Sequence, residues 1–183
     1  EVEFRAFLSD ELYDSLKQYL NNNCTFLSKE KQITYYLDYD VDTRVQISEK
    51  KSRIWQKLGV IHDESRKEID IPLHKEDGLK MLEIFQNLGS KIKIAWFRER
   101  QSFTKGSLNI ELDNTIGYGK ILEVEILCKE SEVENSKKII QNFFKELGVE
   151  ISNKKLFDES FKKYLENWRN LTKGLNENWI YSK

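Results

Sequence analysis

The chain has 183 residues, a length typical of one domain with a sizeable core. Its 30 Lys and Arg nearly balance 31 Asp and Glu, so its bulk charge argues against a membrane or duplex nucleic-acid partner. No apolar run is long enough to span a membrane, and no signal peptide is visible. Cys24 and Cys128 lack metal-ligand spacing, so we expect reduced thiols in a cytoplasmic protein.

Alternating strand patterns dominate residues 1–72. Residues 1–8 place Glu1, Glu3 and Arg5 on one face and apolar residues on the other. Ser9 and Asp10 have the pattern of a helix cap and predict that a helix follows. Four further strands with the same alternation are predicted over 32–38, 43–48, 53–58 and 66–72.

Three more helices are predicted from apolar stripes at helical spacing. The first covers 77–88, and the others cover about 131–147 and 155–171. In the helix over 77–88 we expect four residues to face inward, namely Leu79, Leu82, Phe85 and Leu88. The tail that contains Trp179 and Tyr181 has no clear role; packing on the body and packing on a partner both remain open.

The strand predicted over 91–103 has an irregular pattern. Ile94 and Trp96 share parity with Arg98 and Arg100, so apolar and basic side chains fall on the same face. A β-bulge would explain this pattern, and so would two different environments along one strand.

The hairpin predicted over 108–126 concentrates negative charge. Its two strands alternate apolar with polar residues, and the turn around Gly117 joins them. Period-two alternation places Glu111, Asp113, Glu123 and Glu125 on one surface. Carboxylates this close repel one another and need water, cations or basic side chains between them.

The eight candidate strands allow two interpretations. An antiparallel sheet with one wet face is the commoner meaning of the pattern, but the charged face here is rich in Glu and Arg and poor in small polar residues. A barrel with the charged face inward has no free edges, and helices would cover its apolar outside. The second interpretation predicts a single α+β domain over 1–183, an eight-stranded antiparallel closed β-barrel with about four helices. Its tunnel core would cover 1–128, and the C-terminal helices and tail would cover 131–183.

A lumen of this kind would hold acidic and basic groups within a few ångströms of each other. Carboxylates suit Mg²⁺ or Mn²⁺, and arginines suit phosphate oxygens, so a site for polyphosphate and metal is one possibility. A set of internal salt bridges with no ligand is the alternative for each of these residues. The residues alone leave both possibilities open.

Seven short motifs occur in a fixed order along nearly the whole chain. In chain order they are Glu1-x-Glu3-x-Arg5, Arg44-x-Gln46, Lys57-Leu58-Gly59, Arg66-x-Glu68-x-Asp70, Arg98-x-Arg100 with Phe103, Leu112-Asp113 with Gly117-x-Gly119, and Glu123-x-Glu125. Together they resemble the CYTH domain of the triphosphate tunnel metalloenzymes, which include class IV adenylate cyclases, thiamine triphosphatases and inorganic triphosphatases. The resemblance implies an eight-stranded antiparallel tunnel. Arg5, Gln46 and Asp70 stand where the family has lysine, arginine and glutamate.

The resemblance also implies roles for individual residues, with Mg²⁺ or Mn²⁺ as the cofactor. The implied metal ligands are Glu3, Glu123 and Glu125, with Glu1 and Asp113 supporting them or holding a second ion. The implied triphosphate-binding residues are Arg5, Arg44, Lys57, Arg66, Arg98 and Arg100. Glu68 and Asp70 would bind a second metal ion or orient the arginines, so the implied catalytic set is Glu1, Glu3, Arg5, Glu68 and Asp70.

Three functions follow from the resemblance. The first is metal-dependent hydrolysis of a small-molecule triphosphate, such as inorganic triphosphate, thiamine triphosphate or a nucleoside triphosphate. The second is an adenylate cyclase that makes cyclic AMP from ATP. The third is a non-catalytic module that binds polyphosphate, a nucleotide or an RNA 5′-triphosphate. The resemblance also suggests a homodimer.

Overall fold

The computed structural model describes residues 1–59 and 67–182, which contain eight strands in a single antiparallel sheet. The strands are β1 (Val2–Leu8), β2 (Thr25–Leu37), β3 (Asp42–Ser48), β4 (Ser52–Leu58), β5 (Lys67–Leu73), β6 (Ile92–Lys105), β7 (Leu108–Thr115) and β8 (Gly119–Ile126). Their order in the sheet is β1-β8-β7-β6-β2-β3-β4-β5. The eight-stranded antiparallel sheet predicted from the alternation is confirmed.

Four α-helices accompany the sheet in the described part of the chain. They are α1 (Asp10–Asn23), α2 (Asp77–Asn87), α3 (Val133–Glu146) and α4 (Lys154–Leu171). Ser9 caps α1 as predicted, because its hydroxyl accepts a hydrogen bond from the backbone N–H of Leu12 at 3.2 Å. The α+β class and the number of α-helices agree with the prediction.

The apolar outer face of the sheet is covered in two regions. Helices α1 and α3 bury the outer side of β1, β7 and β8, where Leu20, Ile140 and Phe144 are almost fully buried. Helix α2 and the C-terminal tail cover β2, β3 and β6, and Ile180 of the tail is fully buried there. The tail therefore packs on the body of the protein. Tyr35 of β2 fixes it further by donating a hydrogen bond to Glu177 at 2.8 Å.

Strand β6 passes through two environments, which resolves its irregular pattern. Ile94 and Trp96 lie at one end of the inner face and pack against Tyr164 of α4. Further along the same face, Arg98 and Arg100 meet carboxylates. The mixed parity thus reflects an apolar end and a charged middle on one continuous face.

Helix α2 is rotated relative to the prediction. Leu82 is buried and Phe85 is partly buried, but Leu79 is 44% exposed and Leu88 is 76% exposed, so the inward assignment of Leu79 and Leu88 is wrong. The cause is Gly78, which lies so close to β3 and β4 that an added Cβ would be 2.5 Å from the hydroxyl of Ser52. Gly78, Leu82 and Phe85 share a stripe at positions i, i+4 and i+7, and this stripe faces the sheet.

The two edges of the curled sheet meet through side chains. In the described part of the chain, β1 and β5 end the series of seven strand pairings. Lys57 of β4 lies 2.9 Å from Glu1, which precedes β1, and 3.3 Å from Glu68 of β5. Ion pairs on the inner face therefore link the edges, in the place where a fully closed barrel would have a ladder of backbone hydrogen bonds.

Candidate functional site

The inner face of the sheet encloses a cavity of about 750 Å³. Every strand contributes to its wall, because side chains two positions apart along a strand point to the same face. All predicted site residues that the structure describes line this cavity, namely Glu1, Glu3, Arg5, Arg44, Lys57, Glu68, Asp70, Arg98, Arg100, Asp113, Glu123 and Glu125. Arg66 lies outside the described residues, so its predicted role stays a prediction.

Three carboxylates form a compact cluster at one side of the cavity. Glu1, Glu3 and Glu125 each offer an oxygen, and these oxygens all lie within 4.8 Å of one another. The pairing of β1 with β8 produces the cluster, since Glu3 is directly opposite Glu125 and Glu1 is two positions earlier on the same face. Burial and the neighbouring Glu123 raise the pKa of Glu125 to about 7, and the same two causes raise the pKa of Glu3. Such a donor set fits a hard divalent cation that prefers oxygen ligands, such as Mg²⁺ or Mn²⁺.

Basic side chains border the acidic cluster directly. Lys57 Nζ is 2.9 Å from a Glu1 oxygen and 3.9 Å from a Glu3 oxygen, and Arg5 Nε is 2.9 Å from Glu3. Burial alone would lower the pKa of Lys57, but Glu3, Glu1 and Glu68 outweigh it and raise that pKa. Lys57 is therefore a charged ammonium group beside the carboxylates.

Asp113 and Glu123 lie against arginines and outside the three-carboxylate cluster. Arg100 donates to both oxygens of Asp113, at 2.8 and 2.6 Å, and to Glu123 at 3.0 Å. Arg98 adds a contact to Asp113 at 3.1 Å. Burial would raise the pKa of Glu123, but Arg100 and Arg5 outweigh it and lower that pKa to about 2. The register explains the arrangement, since Arg100 and Asp113 are directly opposite on β6 and β7.

The remaining predicted residues line the cavity from β3 and β5. Arg44 donates to Asp42 through Nε at 2.7 Å, and its guanidinium lies 4.2 Å from the centre of the Tyr36 ring. On β5, Glu68 contacts Lys57 at 3.3 Å, and Asp70 contacts Arg53 at 3.1 Å. Glu68 and Asp70 therefore lie where they can orient basic side chains.

Several wall residues were not part of the predicted site. Arg53 and Trp55 line the cavity from β4, and the parity of the strand already placed them on the charged face. Glu30 and Gln32 line it from the first half of β2. No pattern in the sequence identified Glu30, because the predicted strand begins at residue 32, whereas the strand in the structure begins at Thr25.

Aromatic side chains form one part of the cavity wall. Trp96 and Tyr118 have ring centres 4.4 Å apart, and α4 brings Phe157 and Phe161 to the same wall. The guanidinium of Arg5 lies 4.6 Å from the centre of the Phe157 ring. The cavity thus combines an acidic cluster, a series of basic groups and a wall of tilted aromatic rings.

Solved structures share this fold. The PH1819 protein from Pyrococcus horikoshii OT3 superposes with a TM-score of 0.74 at 24% identity, covering 88% of this chain and 98% of that chain. The PH1012 protein from the same organism gives 0.73 at 22%, with 83% and 94% covered. A structure named as a candidate adenylate cyclase from Vibrio parahaemolyticus gives 0.69 at 11%, with 88% and 97% covered. No protein-family model and no curated protein sequence matches the chain.

These likenesses confirm the tunnel-type fold that the CYTH resemblance predicted. At identities below 25% they concern the fold, so the chemistry of this chain is argued from its own cavity. None of the helices in residues 1–59 and 67–182 is long and apolar enough to cross a membrane.

Proposed function

We propose that the protein is a divalent-metal-dependent hydrolase of a small triphosphate bound in the cavity. One observation supports this most directly: a cluster of three carboxylates lies within ion-pair distance of Lys57 and Arg5, in the same cavity as Arg98 and Arg100. A polyphosphate chain with its metal ion carries both signs of charge, and this wall complements both.

The metal site proposed here consists of Glu1, Glu3 and Glu125. Mg²⁺ or Mn²⁺ bound there would neutralise phosphate charge and lower the pKa of a coordinated water. Glu123 lies on the same face of the sheet, but Arg100 neutralises its negative charge. We assign it, with Asp113, to holding the arginines in place. The proposed metal ligands are therefore fewer than the set that the resemblance implies.

The basic residues have the task of binding and orienting the phosphates. Four of them line the cavity from β1, β4 and β6, namely Arg5, Lys57, Arg98 and Arg100, and Arg44 lines it from β3. Attack of a water on the terminal phosphorus forms orthophosphate, breaks the bond to the bridging oxygen and shifts negative charge onto the leaving diphosphate, and fixed cationic groups stabilise that charge. The chemistry requires no nucleophilic side chain.

Adenylate cyclase activity is the second candidate. The aromatic wall of Tyr36, Trp96, Tyr118 and Phe161 favours it, because an aromatic ring beside the phosphate site can stack on a purine base. The Vibrio parahaemolyticus structure of the same fold is named as a candidate adenylate cyclase. In that reaction the ribose 3′-hydroxyl of ATP attacks the α-phosphorus, and the products are cyclic AMP and pyrophosphate.

One assay separates the candidates. The protein is incubated with Mg²⁺ or Mn²⁺ and with inorganic triphosphate, thiamine triphosphate, ATP or triphosphorylated RNA, and products are identified by mass spectrometry. Phosphate release supports the hydrolase, and cyclic AMP supports the cyclase. Binding without turnover of any substrate would leave only a binding module and refute both enzymes. Glu125→Gln should abolish the activity, whereas Glu150→Gln, at an exposed glutamate outside the cavity, should not.

A further inference from the structure

Arg53 of β4 projects into the cavity although no motif singled it out. Its directly opposite neighbour on β3 is Gln46, and its Nε donates to the side-chain oxygen of Gln46 at 2.8 Å. Its guanidinium lies 4.1 Å from the centre of the Trp55 ring. Two independent contacts therefore fix the position of this guanidinium.

Gln46 is itself held in one orientation. It is buried, and its amide nitrogen donates to the side-chain oxygen of Gln32. The same oxygen of Gln32 accepts a hydrogen bond from Arg98 at 3.0 Å. Because its nitrogen faces Gln32, Gln46 presents its oxygen to Arg53, and the chain from Arg98 through Gln32 and Gln46 to Arg53 is continuous.

Gln46 orients Arg53 without adding a negative charge. A glutamine oxygen is a neutral acceptor, whereas Arg100 is held by the charged Asp113 and Glu123. Two carboxylates of β5 lie within ion-pair distance of Arg53 Nη1. Asp70 is at 3.1 Å, and its side chain is 42% exposed, so water screens this pair. Glu68 is at 3.9 Å and lies nearer to Lys57, at 3.3 Å. The side chain of Arg53 is 29% exposed and lines the cavity.

We propose that Arg53 binds a phosphate group of the triphosphate and that Gln46 is its positioning residue. The inference rests on the proposed function and deepens it. Gln46 of β3 carries no charge, but Arg53, the directly opposite residue on β4, supplies a guanidinium. Arg53 thereby extends the basic surface from Arg98 towards β4. Trp55 supports this guanidinium by stacking on it.

Equilibrium binding tests the proposal. The probe is imidotriphosphate with Mg²⁺, because its bridging nitrogens resist hydrolysis, and affinity is measured by calorimetry. Arg53→Gln should weaken binding about tenfold or more, the loss expected for one charge-assisted contact. Lys50→Gln removes the same charge from an exposed position in the β3–β4 turn and should change affinity less than twofold.

The role of Gln46 has a separate readout. Gln46→Met should weaken binding about threefold in the wild-type background and not at all in the Arg53→Gln background, because it acts through Arg53. Gln46→Arg combined with Arg53→Gln moves the guanidinium to the opposite residue and should restore most of the affinity. Melting temperatures of all variants report whether they fold, and Arg53→Lys, which keeps the charge but not the fork, should bind with intermediate affinity.

The outcomes distinguish two failures. Wild-type protein that does not bind imidotriphosphate would overturn the proposed function and this assignment together. Wild-type binding that Arg53→Gln leaves within twofold would overturn only the assignment of Arg53. Equal losses in Arg53→Gln and Lys50→Gln would show a general charge effect and would also overturn it.

Discussion

Replacing Arg100 with methionine tests whether the ion pairs of the tunnel wall are structural as well as functional. The side chain of Arg100 is 12% exposed and that of Asp113 is 3% exposed. Arg100→Met removes two hydrogen bonds to Asp113 and one to Glu123, and leaves Asp113 with Arg98 at 3.1 Å. Uncompensated buried charge costs about 3–5 kcal/mol, so we expect a loss of unfolding free energy in that range.

Urea unfolding at neutral pH without divalent ions measures this loss. Since small domains are stable by roughly 5–15 kcal/mol, the variant should still fold. Asp113→Leu in the Arg100→Met background removes the carboxylate that lost its partner. The loss of unfolding free energy in the double variant should therefore be smaller than the sum of the two single losses by about 1–3 kcal/mol. Lys105→Met breaks a pair with Glu146 on the surface and serves as the control, with a much smaller expected loss.

Two results would refute this reasoning. The first is an Arg100→Met variant that loses less than about 1 kcal/mol, because the pair would then be screened like a surface pair. The second is strict additivity of the two substitutions, because the carboxylate would then not be the origin of the cost. Either result would mean that water reaches this wall more freely than the burial of Asp113 indicates.

Three further predictions concern the acidic cluster and the packing of α4. The pKa of Glu125 is raised to about 7, so in the absence of metal the unfolding free energy should fall as pH rises from about 4.5 through 7. Mn²⁺ should therefore raise the melting temperature more at pH 8 than at pH 5. An equal shift at both pH values would contradict the assignment of the cluster as a metal site. Gly117→Ala places a Cβ 2.6 Å from α4 at a residue with positive φ. Its loss of unfolding free energy should be clearly larger than that of Gly106→Ala, where φ is also positive but the space is open. Equal losses in urea unfolding would contradict this contact. Tyr164→Phe removes the buried hydrogen bond to the carbonyl oxygen of Ala95 and should cost about 1 kcal/mol in the same assay, whereas no loss would mean that this hydroxyl does not help to anchor α4.

Local alternation was sufficient to predict which residues enter the tunnel. The side chains of a strand alternate between faces whatever the strand pairs with, so the inward positions of Glu1, Glu3, Glu123 and Glu125 follow from the sequence. The partners of these residues depend on register between strands far apart in the chain. Glu3 meets Glu125 because β1 pairs with β8, a contact across more than a hundred residues that no local pattern specifies.

The dependence on strand register also explains why the carboxylates divide into two groups. Asp113 and Glu111 both alternate inward on β7, but Asp113 is the residue directly opposite Arg100. A shift of two residues in the β6–β7 hairpin would keep every inward residue inward and exchange these partners. The sequence therefore predicted a charged lumen. The division into the cluster of Glu1, Glu3 and Glu125 and the pair of carboxylates held by Arg100 required the register.

The position of the acidic cluster is a consequence of how the sheet closes. β1 is an edge strand, and its carboxylates reach Lys57 of β4 across the gap between the edges. Lys57 thus stabilises the closed shape and is also one of the cations proposed to bind phosphate. A divalent ion at Glu1 and Glu3 would compete with Lys57 for these carboxylates and leave its ammonium group available to a phosphate oxygen. Metal and triphosphate would then each strengthen the binding of the other, because each satisfies charges that the other exposes.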